Sequence, residues 1–156
     1  AVAALNKKKI REKDFKEFHP SGSLGAKLKT VEDLMLTKNK IPFINENSKM
    51  KDALKVISQK KLGTLIVINN KKITSGIITD GQIRRISQKN NNFHNLKVKE
   101  VMTKRPIQVP KEMLVLKALS LMNENKITSL CVNHNTQKNK IIGIIHIHNI
   151  LEDGIQ

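Results

Sequence analysis

Val31-Glu32-Asp33-Leu34-Met35 returns as Val98-Lys99-Glu100-Val101-Met102, and Gly76-Ile77-Ile78 returns as Gly143-Ile144-Ile145, each displaced by 67 residues. Two anchors at one displacement identify a duplicated fold unit. Between them Met50, Ala53, Leu54 and Ile57 match Val115, Ala118, Leu119 and Met122 at a displacement of 65, a difference that short loop insertions absorb. The duplication implies a pseudo-two-fold pair with a cleft between its halves.

Each copy follows the same local grammar. In the first, Ile41-Pro42-Phe43-Ile44 is extended, because proline is excluded from a helix interior. Ser48 reads as an N-cap, and Met50, Ala53, Leu54 and Ile57 at i, i+3, i+4 and i+7 line one face of a helix ending near Leu62-Gly63. A β-branched run at residues 64–68, a turn at Asn69-Asn70-Lys71 and a second strand at 73–78 make a hairpin, and residues 79–86 close the unit with a helix. The second copy repeats the order: a strand at 107–109, a helix around 115–123, strands at 129–133 and 141–145, and a helix at 147–151. The class is therefore α+β, with each unit βαββα and small sheets packed against helices. The polar stretch 87–95 joins the units, with Asn90-Asn91-Asn92 its least structured part.

Composition narrows the function. At 156 residues and 38% hydrophobic content the chain can bury a core. No run of about 18 apolar residues offers a membrane span and no signal peptide is evident, so a cytoplasmic location is expected. Ala1 to Leu5 reads as a helix end without a methionine, which places the natural start upstream. Cys131, the single cysteine, sits in the strand-like run Ser129-Leu130-Cys131-Val132, where burial is expected rather than reactivity. The net charge of +16 invites a nucleic-acid partner, yet lysine far outnumbers arginine, the lysines are scattered, and aromatic residues are only 3%. Nucleic acid is therefore not the expected partner.

The βαββα pair, with Val-x-Asp/Glu-hydrophobic-Met ahead of each unit and Gly76-Ile77-Ile78-Thr79 before a closing helix, resembles a tandem CBS-domain module over about residues 31 to 153. The resemblance implies a first repeat at 31–93 and a second at 94–156. It also implies a regulatory sensor whose clefts often hold adenine nucleotides or other phosphorylated ligands.

Upstream, Asp14-Phe15 and His19-Pro20-Ser21-Gly22-Ser23-Leu24-Gly25-Ala26-Lys27-Leu28 resemble the junction of arabinose-5-phosphate isomerases of the KdsD and KpsF type, and Gly76 to Arg85 resembles their first-repeat signature. Those enzymes join a sugar-isomerase (SIS) domain to a CBS pair and interconvert ribulose 5-phosphate and arabinose 5-phosphate for Kdo, a component of lipopolysaccharide and capsule. The resemblance makes residues 1–30 the end of the SIS domain and its linker. It also makes His19 a catalytic contributor in the intact enzyme, since an imidazole titrates near neutrality and can exchange a proton with a sugar oxygen. Local chemistry alone reads His19 as ordering the turn before Pro20. Family members commonly carry glycine where Ser21 stands, which leaves the backbone there open. The phosphate cradle and carboxylates of an isomerase site are not in this sequence, so the chain by itself is expected to be inactive and to serve regulation and homo-oligomeric assembly.

Thr79, Asp80 and Gly81 at a strand-to-helix junction can present a hydroxyl and free amides to a phosphate, or form an ordinary N-cap. In nucleotide-binding CBS modules the pattern Gly-h-h-Thr/Ser-x-x-Asp ends in a ribose-binding carboxylate, but here Gln82 takes that place. In the second copy His146 replaces Thr79 and Asn149 stands at the ribose position. These changes argue against AMP or ATP. Gln82 and Asn149 can still bond hydroxyls, and Arg84, Arg85 and His146 can pair with anions, which leaves a sugar nucleotide such as CMP-Kdo. His146, His148 and His134 lack a carboxylate or thiolate partner at suitable spacing, so no metal and no cofactor is expected; the strand-to-helix change at residue 146 is expected to separate the first two.

Overall fold

The computed structural model describes residues 28–155. His19 and the upstream helix and turn lie outside the described residues. A short helix α1 (Val31–Leu34) leads to a 3-10 turn at Lys38–Lys40 and strand β1 (Phe43–Asn45). Then come α2 (Met50–Lys60), β2 (Thr64–Ile68), β3 (Thr74–Thr79) and α3 (Asp80–Lys89). After a 3-10 turn at Phe93–Asn95 the second set runs α4 (Val98–Val101), β4 (Thr103–Lys104), β5 (Gln108–Val109), α5 (Val115–Asn125), β6 (Ser129–Asn133), β7 (Ile141–His146) and α6 (Ile147–Glu152).

The sheets are ordered β1-β2-β3-β4 and β5-β6-β7, with the first pair of each parallel and the hairpin antiparallel. Both hairpins carry a register shift at the same place, between Val67 and Ile68 and between Val132 and Asn133. Alternation along the strands divides the side chains. Leu65, Val67 and Ile78 enter a core with α2, while Leu130, Val132 and Ile145 enter another with α5. The opposite faces supply Ile66, Cys131 and Ile144 to a third cluster, joined by Ile41, Ile141, Leu62 and Ile77, in which the two repeats meet. Strands buried on both faces explain why these stretches read as continuous apolar runs.

The lead-in segments are crossed. Val31 is fully buried in the α5 core of the second repeat, and Val98 and Val101 are buried in the α2 core of the first. The hydrogen bonds are reciprocal: Val31 N–H donates to Met113 O at 2.8 Å and Val98 N–H to Ser48 O at 2.7 Å, while Val115 N–H donates to Lys29 O at 3.0 Å and Met50 N–H to Leu96 O at 2.8 Å. Leu36 bridges to Ile144 in β7, just as Thr103 in β4 pairs with Ile77 in β3. The two anchors of the duplication are thus one contact made twice, with Met102 lying on Gly76 and Met35 on Gly143. A Cβ at Gly76 would stand 2.6 Å from the Thr103 carbonyl oxygen and 2.8 Å from Met102 Sδ, so only glycine permits this approach.

Three local expectations change. Lys49, not Ser48, holds the N-cap of α2, without a side-chain bond; the crossed lead-in supplies the partner for Met50 N–H, and the Ser48 carbonyl accepts from Val98. The same helix stops at Lys60 because Lys61 turns left-handed at φ 60°, ahead of Gly63 at φ 69°. The joining stretch is more ordered than its polarity suggests, since α3 extends to Lys89 and Phe93 is buried in the first core.

Candidate functional site

Chemistry-bearing residues gather at the two strand-to-helix junctions. At the first, β3 ends in Thr79, whose N–H donates to Gln82 Oε1 at 2.9 Å while Gln82 N–H approaches Thr79 Oγ1 at 3.4 Å. This capping box satisfies donors that the start of α3 would otherwise leave free. Gln82 Nε2 then reaches the crossed lead-in, donating to Thr103 Oγ1 at 2.5 Å. Asp80 N–H donates to Gly63 O at 3.0 Å, which sets the carboxylate beside the α2–β2 turn. Arg85 folds back over the first turn of α3, with Nη1 3.3 Å from where a Gly81 Cβ would stand, and both Arg84 and Arg85 are exposed. Neither arginine forms an ion pair with another described residue.

The second junction has the same backbone and different chemistry. Ile147 N–H donates to Thr128 O at 2.8 Å, as Asp80 does to Gly63, and His146 N–H donates to Asn149 Oδ1 at 2.8 Å. The imidazole of His146 is 6% exposed, and its Nδ1 accepts from His148 N–H at 3.1 Å. The two rings stack at 4.8 Å with planes 22° apart, so the pair expected to separate is brought together. Burial pushes the His146 pKa below its ordinary value, the neighbouring His148 pushes the same way, and a backbone hydrogen bond to Leu62 opposes them. A groove of about 360 Å³ is lined by Leu36, Asn39, Lys40, Gln59 and Lys60 and includes no residue of either junction; within it Lys60 Nζ donates to the Asn39 carbonyl.

Thr79, Asp80, Gln82 and Arg85 therefore converge, and His146 and Asn149 form a separate, symmetry-related site. Gln82 and Asn149 are both engaged in capping boxes, so a ligand hydroxyl would compete with a backbone amide for their oxygens. Sequence reasoning missed Thr103 as a partner across the repeats. The usable signal was the repeat itself, since Thr103 stands one displacement of 67 after Leu36. Among the described residues no group of three or more His, Cys, Asp or Glu is placed to hold a metal, and no helix is long and apolar enough to cross a membrane. His134 instead turns Nδ1 to Thr136 N–H at 3.2 Å.

The family model of the CBS domain matches residues 31–89 and 98–154. The arabinose 5-phosphate isomerase KdsD of Yersinia pestis is 35% identical over 156 residues, which is 99% of this chain and 47% of that protein. The chain thus spans about half the length of the curated relatives it matches. Among solved structures, CBSX2 of Arabidopsis thaliana in complex with AMP is similar at 25% identity and a TM-score of 0.68, over 80% of this chain and 95% of that one. A further CBS-domain pair, solved with 5'-methylthioadenosine and S-adenosyl-L-methionine, is similar at 18% identity and a TM-score of 0.69, over 80% of this chain and 94% of that one.

Proposed function

This chain belongs to the CBS-domain family, and from that premise we propose that it is the regulatory and assembly module of an arabinose 5-phosphate isomerase. The observation carrying the proposal is the 35% identity to KdsD across 99% of the chain, which extends the likeness through residues 1–27, beyond the matched CBS repeats. In this reading the parent interconverts D-ribulose 5-phosphate and D-arabinose 5-phosphate in the cytoplasm. His19 contributes to proton transfer at a site completed by the SIS domain, and the present chain is inactive alone. The repeats join copies of the enzyme into a homo-oligomer.

The regulatory ligand is a phosphorylated metabolite, with a sugar nucleotide such as CMP-Kdo preferred over AMP or ATP. Support comes from the first junction, where the Thr79 hydroxyl, the Gly81 amide and the cations Arg84 and Arg85 suit a phosphate, the Asp80 and Gln82 amides being engaged by Gly63 and Thr79. Gln82 offers an amide to a hydroxyl where adenosine-binding relatives use a carboxylate. A ligand that bridges Thr79 and Gln82 to Thr103 would change how the second repeat's lead-in sits on the first repeat, and so how the two repeats pack; binding would reach the catalytic domain through the second repeat, on which the chain's first lead-in rests. Its differential affinity for the two arrangements sets the size of the response.

Calorimetric titration with CMP-Kdo, AMP and ATP at two salt concentrations tests the reading. Saturable heat with modest salt dependence, lost in Thr79→Val, is the expected result. No heat with any of the three would leave a purely structural pair, and binding of arbitrary RNA that collapses with salt would favour a basic interaction module.

A further inference from the structure

We propose that the second repeat carries, around Leu114, Leu116 and Leu151, a docking face for this chain's own residues 7–27. The duplication provides the internal control. Leu114 and Leu116 correspond to Lys49 and Lys51 at the displacement of 65, and Leu151 and Leu28 correspond to Arg84 and Asn95 at the displacement of 67. The structure keeps this correspondence, since the Thr30–Leu114 bridge is answered by a Lys49–Lys97 bridge. The same backbone therefore presents an exposed polar surface on the first repeat and an apolar one on the second, where Leu28, Leu114, Leu116 and Leu151 are 71, 48, 37 and 44% exposed. A single exposed leucine is ordinary, but four that replace two lysines, an arginine and an asparagine at matched places mark a covered surface.

These leucines lie where the described chain begins. Lys29 O accepts from Val115 N–H at 3.0 Å, and Lys29 Nζ pairs at 2.5 Å with Asp153, two residues beyond Leu151. Leu28 is thus delivered between the start of α5 and the end of α6, two helices that also pack on each other. The residues ahead of it arrive at the face already tethered. Leu24 stands four residues before Leu28, Phe18 ten and Phe15 thirteen, and at about 3.3 Å per extended residue all three can reach. A tether this short sets an effective concentration on the order of millimolar, far above that of a second copy in dilute solution.

Charge selects the same occupant. Glu112, two residues before Leu114, and Glu152, next to Leu151, are exposed and form no ion pair with another described residue; their counterparts on the first repeat are Asn47 and Arg85. Residues 7–27 bring Lys7-Lys8-Lys9, Arg11, Lys13 and Lys16 together with the apolar anchors. A second copy would offer either the same carboxylates or the lysines and arginine of its first repeat, which give the leucines no apolar surface. Because His19 follows Phe18, docking would seat this imidazole on the second repeat; its part in proton transfer rests on the isomerase reading, whereas the docking does not.

Nuclear Overhauser spectroscopy on the full chain, with labelled leucine methyls and protonated phenylalanine rings in a deuterated background, tests the proposal. Contacts from the Leu114 and Leu151 methyls to the rings of Phe15 or Phe18 are expected, and they should vanish when the two labels are placed on different chains and mixed. Giving the face the first repeat's own residues, with Leu114→Lys, Leu116→Lys and Leu151→Arg, should speed chymotrypsin cleavage after Phe15 and Phe18 several-fold while hydrogen exchange in β6 and β7 stays as it was. No such contact in the unaltered chain, contacts only between different chains, or unchanged cleavage in the triple variant would each overturn the docking, and the contacts need no variant.

Discussion

Gly76→Ala isolates the contact on which the crossed architecture rests. The added methyl would stand 2.6 Å from the Thr103 carbonyl oxygen, so β4 must recede by about 0.8 Å to regain the 3.4 Å of ordinary contact. A two-residue strand held by the Gly76–Lys104 and Ile77–Thr103 pairs has little to resist that displacement with, and Gln82 loses its partner as Thr103 moves. Overpacking of this kind costs about 1–3 kcal/mol, and we expect about 2. Against this stands the loss of unfolded-chain freedom, which favours alanine by about 0.4–1 kcal/mol wherever the backbone accepts it. Gly76 is not left-handed, so the sign of the effect reports the space directly. Gly143→Ala meets first the flexible end of Met35, with Sδ at 2.5 Å and the nearest backbone atom, Leu36 O, at 3.1 Å; its cost should be nearer 1 kcal/mol, recoverable by Met35→Ala. Urea titration of both variants measures the difference, and by calorimetry Gly76→Ala should melt roughly 4–8 °C lower. A neutral or stabilising Gly76→Ala would refute the crossed contact.

Burial pushes the Cys131 thiol up to about 12, so a disulfide reagent at pH 8 should label it only after unfolding; prompt labelling of the folded chain would contradict its place between the sheets. Val31→Ala removes two methyl groups from the second core and should cost about 2 kcal/mol. Its hydrogen-exchange signature should fall on β6 and β7 rather than on β2 and β3, and the reverse pattern would uncross the lead-ins. Gln82→Ala deletes half of a capping box and the link to Thr103, at about 1–2 kcal/mol in thermal unfolding, while Arg84→Ala on the exposed face should be close to neutral.

The elements that signalled themselves were those whose cues are local. β2 and β6 were readable to the residue because a β-branched run stands between a helix end and a polar turn, and α2 was readable from its i, i+3, i+4, i+7 face. The duplication disclosed the symmetry. It could not disclose which half each lead-in serves, because Val31-Met35 and Val98-Met102 look the same whether they lie on their own repeat or on the other. Phe93 hid for a similar reason, as its burial depends on a core assembled from residues 40 positions upstream. At the candidate site the residue types were legible and their commitments were not. Gln82 and Asn149 turned out to be capping residues first, each bonded three residues back by a contact that the residue type alone does not reveal, while the link from Gln82 to Thr103 was hidden because it joins segments distant in the chain.

Crossed lead-ins also determine how this chain transmits force and how it tolerates being cut. A pull at residue 28 is delivered to α5 and β7, through the Thr30–Leu114 and Leu36–Ile144 bridges and the Lys29–Asp153 ion pair, before the first repeat feels any load. A nick in the Asn90-Asn91-Asn92 segment would yield two fragments that each carry the lid of the other, obliged to reassociate rather than fold apart. The far repeat is therefore the mechanical neighbour of the chain's beginning, and the near repeat of its midpoint.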